Sequence, residues 1–592
     1  MMLEELEELN VYQEHKVKQN KKRGRTMVKS ENKTMYNIFK HNDNQFYSPI
    51  WQRPIKWPKK QREKFYHDVM RRNEHKNIDF GAISINHSEK ENKTQNVDGQ
   101  QRMTHYSILT AATCAYCKHN NIENNWEEIL YYSVLINRIY PEGDEKRFKL
   151  KLKREDDSYY KRLIIDLPHG KNVKGKLSII NKAYIDAYSF VSFYSSKIDT
   201  LIDNLRNVKA TECVLEKTDD PQECFMNAND EGESLTIPER LCSLLIFKST
   251  DTEEEQERIF YQYWHNISDY FGTANKKFED FLNAVAQIKN KYYQTAMITY
   301  AKESITSSSD AIGLLKDLNE YFGIYKKIDN ANTGFIEIDN SLEFIRARLN
   351  SFVLSSLFMI FKLFNESNLS KECFDNCINV LETHIMRCWI LNKDSSNCIR
   401  NVFKLGEFEN PSVSLDYYLF SKIESEGYFI SDEEFIDKLK YYKFKTSAGP
   451  KPVLLRIINF ENPEEKFTLY NTSTEHIMVQ KLTKEWIDDL GQNYKEIHEK
   501  YLNTLCNLTL LPKGHNSALS NLSFPKKLVH EKGYLNSKIP LNQQLGEYSV
   551  FNEKALEHRG NILVDVALDI WQYPPSVVYG ENTIQSTLME SK

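Results

Sequence analysis

The sequence predicts an α+β chain, mostly helical and built from several domains, and three observations predict it. Its 592 residues exceed what one hydrophobic core ordinarily serves, so roughly two to four domains are expected. From about Lys182 to Phe364, apolar residues recur at helical spacing, as in AYIDAYSFVSFYSSKIDTLIDNL and EEEQERIFYQYWHNISDYF. FGAISIN (Phe80 to Asn86) and RFKLKLK (Arg147 to Lys153) alternate instead, the latter with Phe148, Leu150 and Leu152 on one face.

Composition narrows the class. Hydrophobic residues make up 40% and charged residues 27%, as in a soluble globular protein. The longest apolar run, FVLSSLFMIFKLF (Phe352 to Phe364), is short for a membrane span and carries Lys362, so it reads as a buried helix. The opening MMLEELEELN lacks the basic-then-apolar pattern of a secretory signal, and a cytoplasmic protein with no membrane partner is expected. The 10 cysteines are scattered, which points to reduced thiols rather than a disulfide framework. A net charge of -5 does not advertise nucleic-acid binding. KVKQNKKRGR (Lys16 to Arg25) and the span Lys146 to Lys176 are nonetheless basic enough to contact phosphates. A solvated tail is the other reading of the first of these.

The elements follow in order. Residues 1 to about 35 read as a flexible charged leader, acidic and then basic. In FYSPIWQRPIKW, Pro49 and Pro54 keep the chain extended around Gln52 and Arg53. KKQREKFYHDVMRR (Lys59 to Arg72) is a helix with Phe65 and Val69 on one face. FGAISIN is a strand, and NVDGQQR leads from a polar loop into the apolar helix MTHYSILTAATCAYC (Met103 to Cys117). A helical middle, 206–370, separates an N-terminal domain, 36–205, from a C-terminal domain, 371–592. The last opens with CINVLETHIMRCWILN and VLLRIIN and ends in a mixed region, Tyr470 to about Trp571. No internal repeat is present.

DGQQR raises the first chemical question. Asp98-Gly99 between a strand and a helix makes a tight turn. The helix then begins with unpaired amides, which with the helix dipole favour an anion such as phosphate. Arg102 adds a planar cationic fork. Gln100 and Gln101 can donate and accept, so a ribose, a base or a metal-bound water suits them. Asp98 can orient the arginine or hold a cation through water. A capped helix start with solvated polar residues explains the same letters.

WQRPIKW, a strand and then VDGQQRMT together resemble the N-terminal domain of the GmrSD and SspE type of bacterial restriction proteins. CFMNANDEGESLT (Cys224 to Thr236) is similar to the same family's later pattern, borne by Phe225, Asn229, Gly232, Leu235 and Thr236. The resemblance implies a ParB/sulfiredoxin-like domain that binds and hydrolyses a nucleoside triphosphate. Asp98, Gly99, Gln100, Gln101 and Arg102 would bind it, with Arg53 from QRP, and Asp98 and Arg102 would serve the hydrolysis. Met103 and His105 stand where the family usually has Leu and Thr.

A second constellation lies near the C-terminus, in STEHIMVQ (Ser473 to Gln480) and LCNLTLLPKGHNSALSNLSFPKK (Leu505 to Lys527). Adjacent Glu475 and His476 can divide metal binding from action on water, while Asn507 can orient the imidazole and Asn516 offers a second polar ligand. These are the parts of a one-metal phosphodiesterase. A Glu-His pair on a protein surface is the plainer reading. The stretch resembles the HNH nuclease domain, of ββα-metal type, at the C-terminus of the same restriction proteins. VLLRIIN and EHRGNILVDVALDIW (Glu557 to Trp571) are similar to its entry and closing helices. The resemblance implies His476 as general base, oriented by Asn507. Glu475 and Asn516 would hold one magnesium or manganese ion, and Asn521 and Lys526 would contact DNA phosphates. Val479 replaces a usual Pro and Cys506 a usual Gly.

CAYC (Cys114 to Cys117) and CFDNC (Cys373 to Cys377) read as helix-packed thiols rather than zinc ligands. ETHIMRCW (Glu382 to Trp389) reads as an amphipathic helix with a basic edge and no catalytic role. The whole resembles an NTP-regulated restriction endonuclease of anti-phage defence that cleaves foreign, modified DNA. An NTP-hydrolysing DNA-binding regulator with an inactive HNH domain and an RNA-directed nuclease toxin are the alternatives. Assembly into a homo-oligomer is left open.

Overall fold

The computed structural model describes residues 29–41, 45–71, 79–88, 93–123, 148–166, 178–230, 235–290, 296–393, 414–446 and 448–574. The basic stretch Lys16 to Arg25, Arg147 and Gly232 lie outside the described residues. The chain forms two compact units, Met1–Ser268 with Ile305–Leu315, and Asp269–Ser304 with Lys316–Lys592.

The first unit is built on a mixed sheet ordered β1-β6-β3-β4-β2-β5. Its strands are β1 (Lys29–Thr34), β2 (Gln45–Tyr47), β3 (Asp79–Ser88), β4 (Lys93–Asp98), β5 (Leu150–Lys151) and β6 (Lys209–Val214). The helices used below are α1 (Lys59–Met70), α2 (Gln100–His119), α3 (Ile179–Phe193), α4 (Pro221–Asp230) and α5 (Ile237–Ser249). FGAISIN is therefore a strand and MTHYSIL a helix, as the letters predict. α2 is buried on nearly every side, Cys114 and Cys117 included, and its buried Thr110 and Thr113 hydroxyls donate back to the carbonyls of Tyr106 and Leu109. Tyr106 on it donates to Leu205 O at 2.9 Å, and Tyr66 on α1 donates to Ala183 O on α3 at 3.2 Å.

β1 corrects the leader. KSENKT has no apolar residue, yet it pairs antiparallel with β6, and Lys33 forms an ion pair with Glu212. An edge strand open to water needs no apolar alternation, so the sequence carries no signal for it. β6, α4 and α5 belong to this same compact unit. RFKLKLK supplies only Leu150 and Lys151 to β5, although Phe148, Leu150 and Leu152 are all buried as their alternation requires.

Among the described residues, the second unit is helical apart from one antiparallel pair of strands. FVLSSLFMIFKLF lies in a helix, Ser351–Asn365, whose Leu357, Phe358 and Phe361 are buried. No helix among the described residues is long and apolar enough to cross a membrane. Helix α6 (Lys371–Ile390) and helix α7 (Pro450–Glu461) are joined by a buried ion pair, Glu382 to Arg456 at 3.0 Å. Trp571 Nε1 donates to the same Glu382 carboxylate at 3.0 Å. Arg387 is not on a basic edge: it is fully buried and donates to the carbonyls of Trp571 and Ile430. Burial of its aliphatic neighbours on all sides of α6 removes the polar face that the letters suggested.

The hairpin is β7 (Thr472–His476) against β8 (Leu508–Pro512), antiparallel, with Glu475 opposite Thr509. Helix α8 (Lys513–Leu519) follows β8 directly, then helix α9 (Phe524–Val529) and the closing helix α10 (Glu553–Ile570). The architecture is α+β and mostly helical, as predicted.

Candidate functional site

The DGQQR turn is built by two glycines. Gly99 (φ +96) caps α2 in the left-handed region, where an L side chain is strained, and a Cβ there would sit 3.2 Å from the Ile83 backbone. Arg102, in the first turn of α2, folds back onto β3 and β4. Its Nη2 donates to Asp98 Oδ2 at 3.0 Å and to Ala82 O at 2.6 Å. Ala82 O is within reach because Gly81 (φ +81) lies in a register shift of β3 against β6. Arg102 Nε is buried and without a hydrogen-bond partner.

The glutamines hold the QRPIK loop. Gln100 Nε2 donates to Arg53 O at 2.6 Å and Gln101 Nε2 to Pro54 O at 3.0 Å, while Gln101 Oε1 accepts from Lys56 N at 3.2 Å. Gln52 is fastened the other way, its Nε2 donating to Asn96 O at 2.6 Å and Val97 O at 2.7 Å. All five DGQQR residues and Arg53 border one cavity of about 230 Å³, and Phe225 and Asn229 of α4 form part of its wall. The three segments singled out in the sequence therefore meet at one place. Thr236 caps α5 in a reciprocal capping box with Glu239, and Lys56 pairs with that glutamate at 3.0 Å. Trp57, also on the cavity wall, stacks on His105 with ring centroids 5.0 Å apart. Burial first, and the Arg62 charge second, push the His105 pKa down to about 3, so this imidazole is neutral.

At the hairpin the expected residues gather, but with different partners. His476 ends β7, half-buried, with Nε2 3.0 Å from Asn503 Oδ1 and Nδ1 3.3 Å from Gln480 Nε2. Burial lowers its pKa, the Asn503 hydrogen bond opposing and the Lys527 and His498 charges adding to the shift. Asn507 is fully buried and holds the main chain beyond the histidine. Its Oδ1 accepts from Met478 N at 2.6 Å, and its Nδ2 donates to Met478 O and Leu502 O, each at 3.0 Å. Asn516 on α8 donates to Thr474 O at 2.7 Å.

Glu475 does not face solvent. It is buried, and its Oε1 accepts from Lys527 Nζ at 2.6 Å and from Tyr534 OH at 3.1 Å. Burial raises its pKa and lowers that of Lys527. Lys527 also donates to His476 O at 2.8 Å, so α9 is pinned beneath the hairpin. Asn521 and Lys526 are exposed, Lys526 in a surface pair with Glu485 at 2.9 Å.

Two family models match the chain: the N-terminal domain of the GmrSD restriction endonucleases over residues 35–246, and their C-terminal domain over residues 429–566. The chain belongs to the GmrSD restriction endonucleases. No curated protein matches it. In this GmrSD chain the C-terminal departures are absorbed by packing. Val479 is buried, and its carbonyl accepts from His498 Nε2 at 3.0 Å. Cys506 is not among the residues with positive φ, so it carries no left-handed strain.

Sequence reasoning missed Asn503, Gln480, Lys527 and Tyr534 at this centre of the GmrSD chain. It also missed Arg559 of α10, whose Nη1 donates to Leu505 O at 2.7 Å and whose Nη2 donates to Leu508 O at 3.2 Å, bracketing Asn507. Lys527 stood in the quoted FPKK and Gln480 closed the quoted STEHIMVQ, both within the stretch that carries the family resemblance. Asn503, Tyr534 and Arg559 carry no such signal, since they act on atoms distant in sequence.

Proposed function

We propose that this chain is an NTP-regulated DNA endonuclease of restriction type, cleaving foreign, chemically modified DNA. One observation carries the nuclease half: a half-buried His476, its pKa lowered by burial, at the end of β7, where Asn507 clamps the main chain that follows it. A neutral imidazole in this setting takes a proton from water, and the resulting hydroxide attacks a phosphodiester. The clamp fixes where the imidazole stands. Asn521 and Lys526 are exposed and suit DNA phosphates, and the Lys526–Glu485 surface pair costs little to open.

The residues expected to hold magnesium or manganese do not form a ready ligand set in this arrangement. The Glu475 carboxylate is already matched by an ammonium at 2.6 Å and a phenol, while Asn516 is tied to the main chain through its amide nitrogen, which leaves its Oδ1 as the atom that would meet a cation. A divalent cation on Glu475 would face the Lys527 charge. No step here is routed through a metal, and cation dependence is left to the assay.

The nucleotide half rests on the first cavity. Arg53, Arg102 and the first amides of α2 present positive charge there, with Asp98 holding Arg102 in place. A nucleoside triphosphate would bring its phosphates to these donors, and its binding or hydrolysis would license or reset cleavage.

The test is cleavage of plasmid and modified phage DNA with magnesium, manganese or EDTA, with and without each NTP. Wild type, His476→Ala and Arg102→Ala are compared. Cleavage lost in His476→Ala, and responsive to NTP only with Arg102 intact, is the expected result. Cleavage that persists in His476→Ala, or ignores every NTP and Arg102→Ala, would sink the corresponding half. NTP hydrolysis with no cleavage would favour the regulator reading, and preference for RNA in competition the toxin reading.

A further inference from the structure

Asn507 was expected to orient the imidazole of His476, but its contacts are with Met478 and Leu502. The ring itself is addressed by two other side chains. Asn503 Oδ1 lies 3.0 Å from Nε2, and an amide oxygen only accepts. Gln480 Nε2 lies 3.3 Å from Nδ1, and an amide nitrogen only donates. Both contacts are satisfied together by one protonation state: a neutral ring with its hydrogen on Nε2 and its lone pair on Nδ1. The opposite tautomer would set two hydrogens against each other at Gln480 and two lone pairs at Asn503. Asn503 is the better held of the two. Its carbonyl accepts from Phe444 N at 2.9 Å and it is half-buried, whereas Gln480 is exposed.

We propose that Asn503 is a positioning residue of the nuclease reaction, fixing His476 in the Nε2–H tautomer so that Nδ1 is the nitrogen that takes the proton. The inference rests on the nuclease reading of His476. In the step it serves, a water gives a proton to Nδ1 and its oxygen forms a bond to phosphorus. The bond from phosphorus to the leaving ribose oxygen breaks, the electron pair stays on that oxygen, and a solvent water protonates it. The imidazolium then returns its Nδ1 proton to solvent, and Asn503 keeps the Nε2 proton throughout. Gln480 covers the reactive lone pair at rest. Being exposed, its amide is displaced by the attacking water at no cost to the core.

The experiment measures kcat and KM for plasmid nicking by the full chain in magnesium buffer, across pH, for wild type, His476→Ala, Asn503→Leu and Asn503→Asp. Thermal melting confirms folding. Removing the acceptor in Asn503→Leu is expected to lower kcat on the order of 10²-fold with KM unchanged. Asn503→Asp keeps an acceptor oxygen and is expected to restore most of kcat. Its carboxylate also raises the His476 pKa, so the acid limb of its pH profile moves upward. If Asn503→Leu does not fold, Asn503→Ala takes its place. An acceptor-free variant with wild-type kcat, or a folded Asn503→Asp as slow as Asn503→Leu, overturns the inference while an inactive His476→Ala leaves the nuclease reading standing. A fully active His476→Ala overturns the reading itself.

Discussion

Cys506 Sγ occupies the space that a side chain on Gly560 would need: a Cβ at Gly560 would come within 2.6 Å of it. The cysteine that departs from the family pattern is thus seated against a glycine of α10. Gly560→Ala gains roughly 0.5–1 kcal/mol in helix preference but overpacks this contact at a cost of about 1–3 kcal/mol, so net destabilisation is expected. In a Cys506→Ala background the clash is gone, and the same change should stabilise. Urea titration of the four proteins measures the coupling, and additive effects would refute the contact.

Glu475 and Lys527 are a buried pair, and losing one partner strands the other. Glu475→Gln or Lys527→Met alone should destabilise by about 3–5 kcal/mol. The double variant should lose much less than the sum. Equal losses in the double variant and the sum, by denaturant unfolding, would mean that the pair does not act as a unit.

Gly81 supports Arg102 from behind. A Cβ there would lie 3.1 Å from Arg102 Nη1, at φ +81. Gly81→Ala carries a backbone cost of about 1–2 kcal/mol and displaces the guanidinium. NTP affinity should fall at least about tenfold, the loss of one charge-assisted hydrogen bond. Gly334→Ala has φ +90 with open space around it, and should lower stability without touching NTP affinity. Calorimetric titration with NTP separates the two effects.

His105 sets an acid limit on the first unit. Its pKa falls from 6.5 to about 3 on folding, so the unfolded chain binds a proton that the folded chain refuses. Its contribution to stability is fully present above 6.5 and is lost as pH falls toward 3. The slope is at most about 1.4 kcal/mol per pH unit in that window. His105→Leu should flatten this dependence between pH 6.5 and 4.5, read as melting temperature against pH. An unchanged slope would exclude His105 as its source.

Legibility followed the range of the interaction. α2 and β3 were readable because their apolar patterns are local, and so was the meeting of DGQQR with QRP, through recognisable motifs. β1 was not, since KSENKT is held by strand pairing with a segment far along the chain. At the hairpin, Glu475, His476 and Asn507 were singled out through the family resemblance, since their type and spacing alone fit a plain surface pair equally well. Their partners were misassigned, because Lys527, Tyr534 and Asn503 reach them only through the tertiary fold. Burial decided Glu475: a carboxylate that looks like a ligand in the sequence becomes half of an internal ion pair.

The glutamines of DGQQR grip the carbonyl oxygens of Arg53 and Pro54 rather than their side chains. Every amino acid carries that oxygen, so the anchorage does not read the letters at those two positions. The lip of the cavity is in effect an interchangeable part. The two glutamines would hold these carbonyls whatever side chain stood at residue 53.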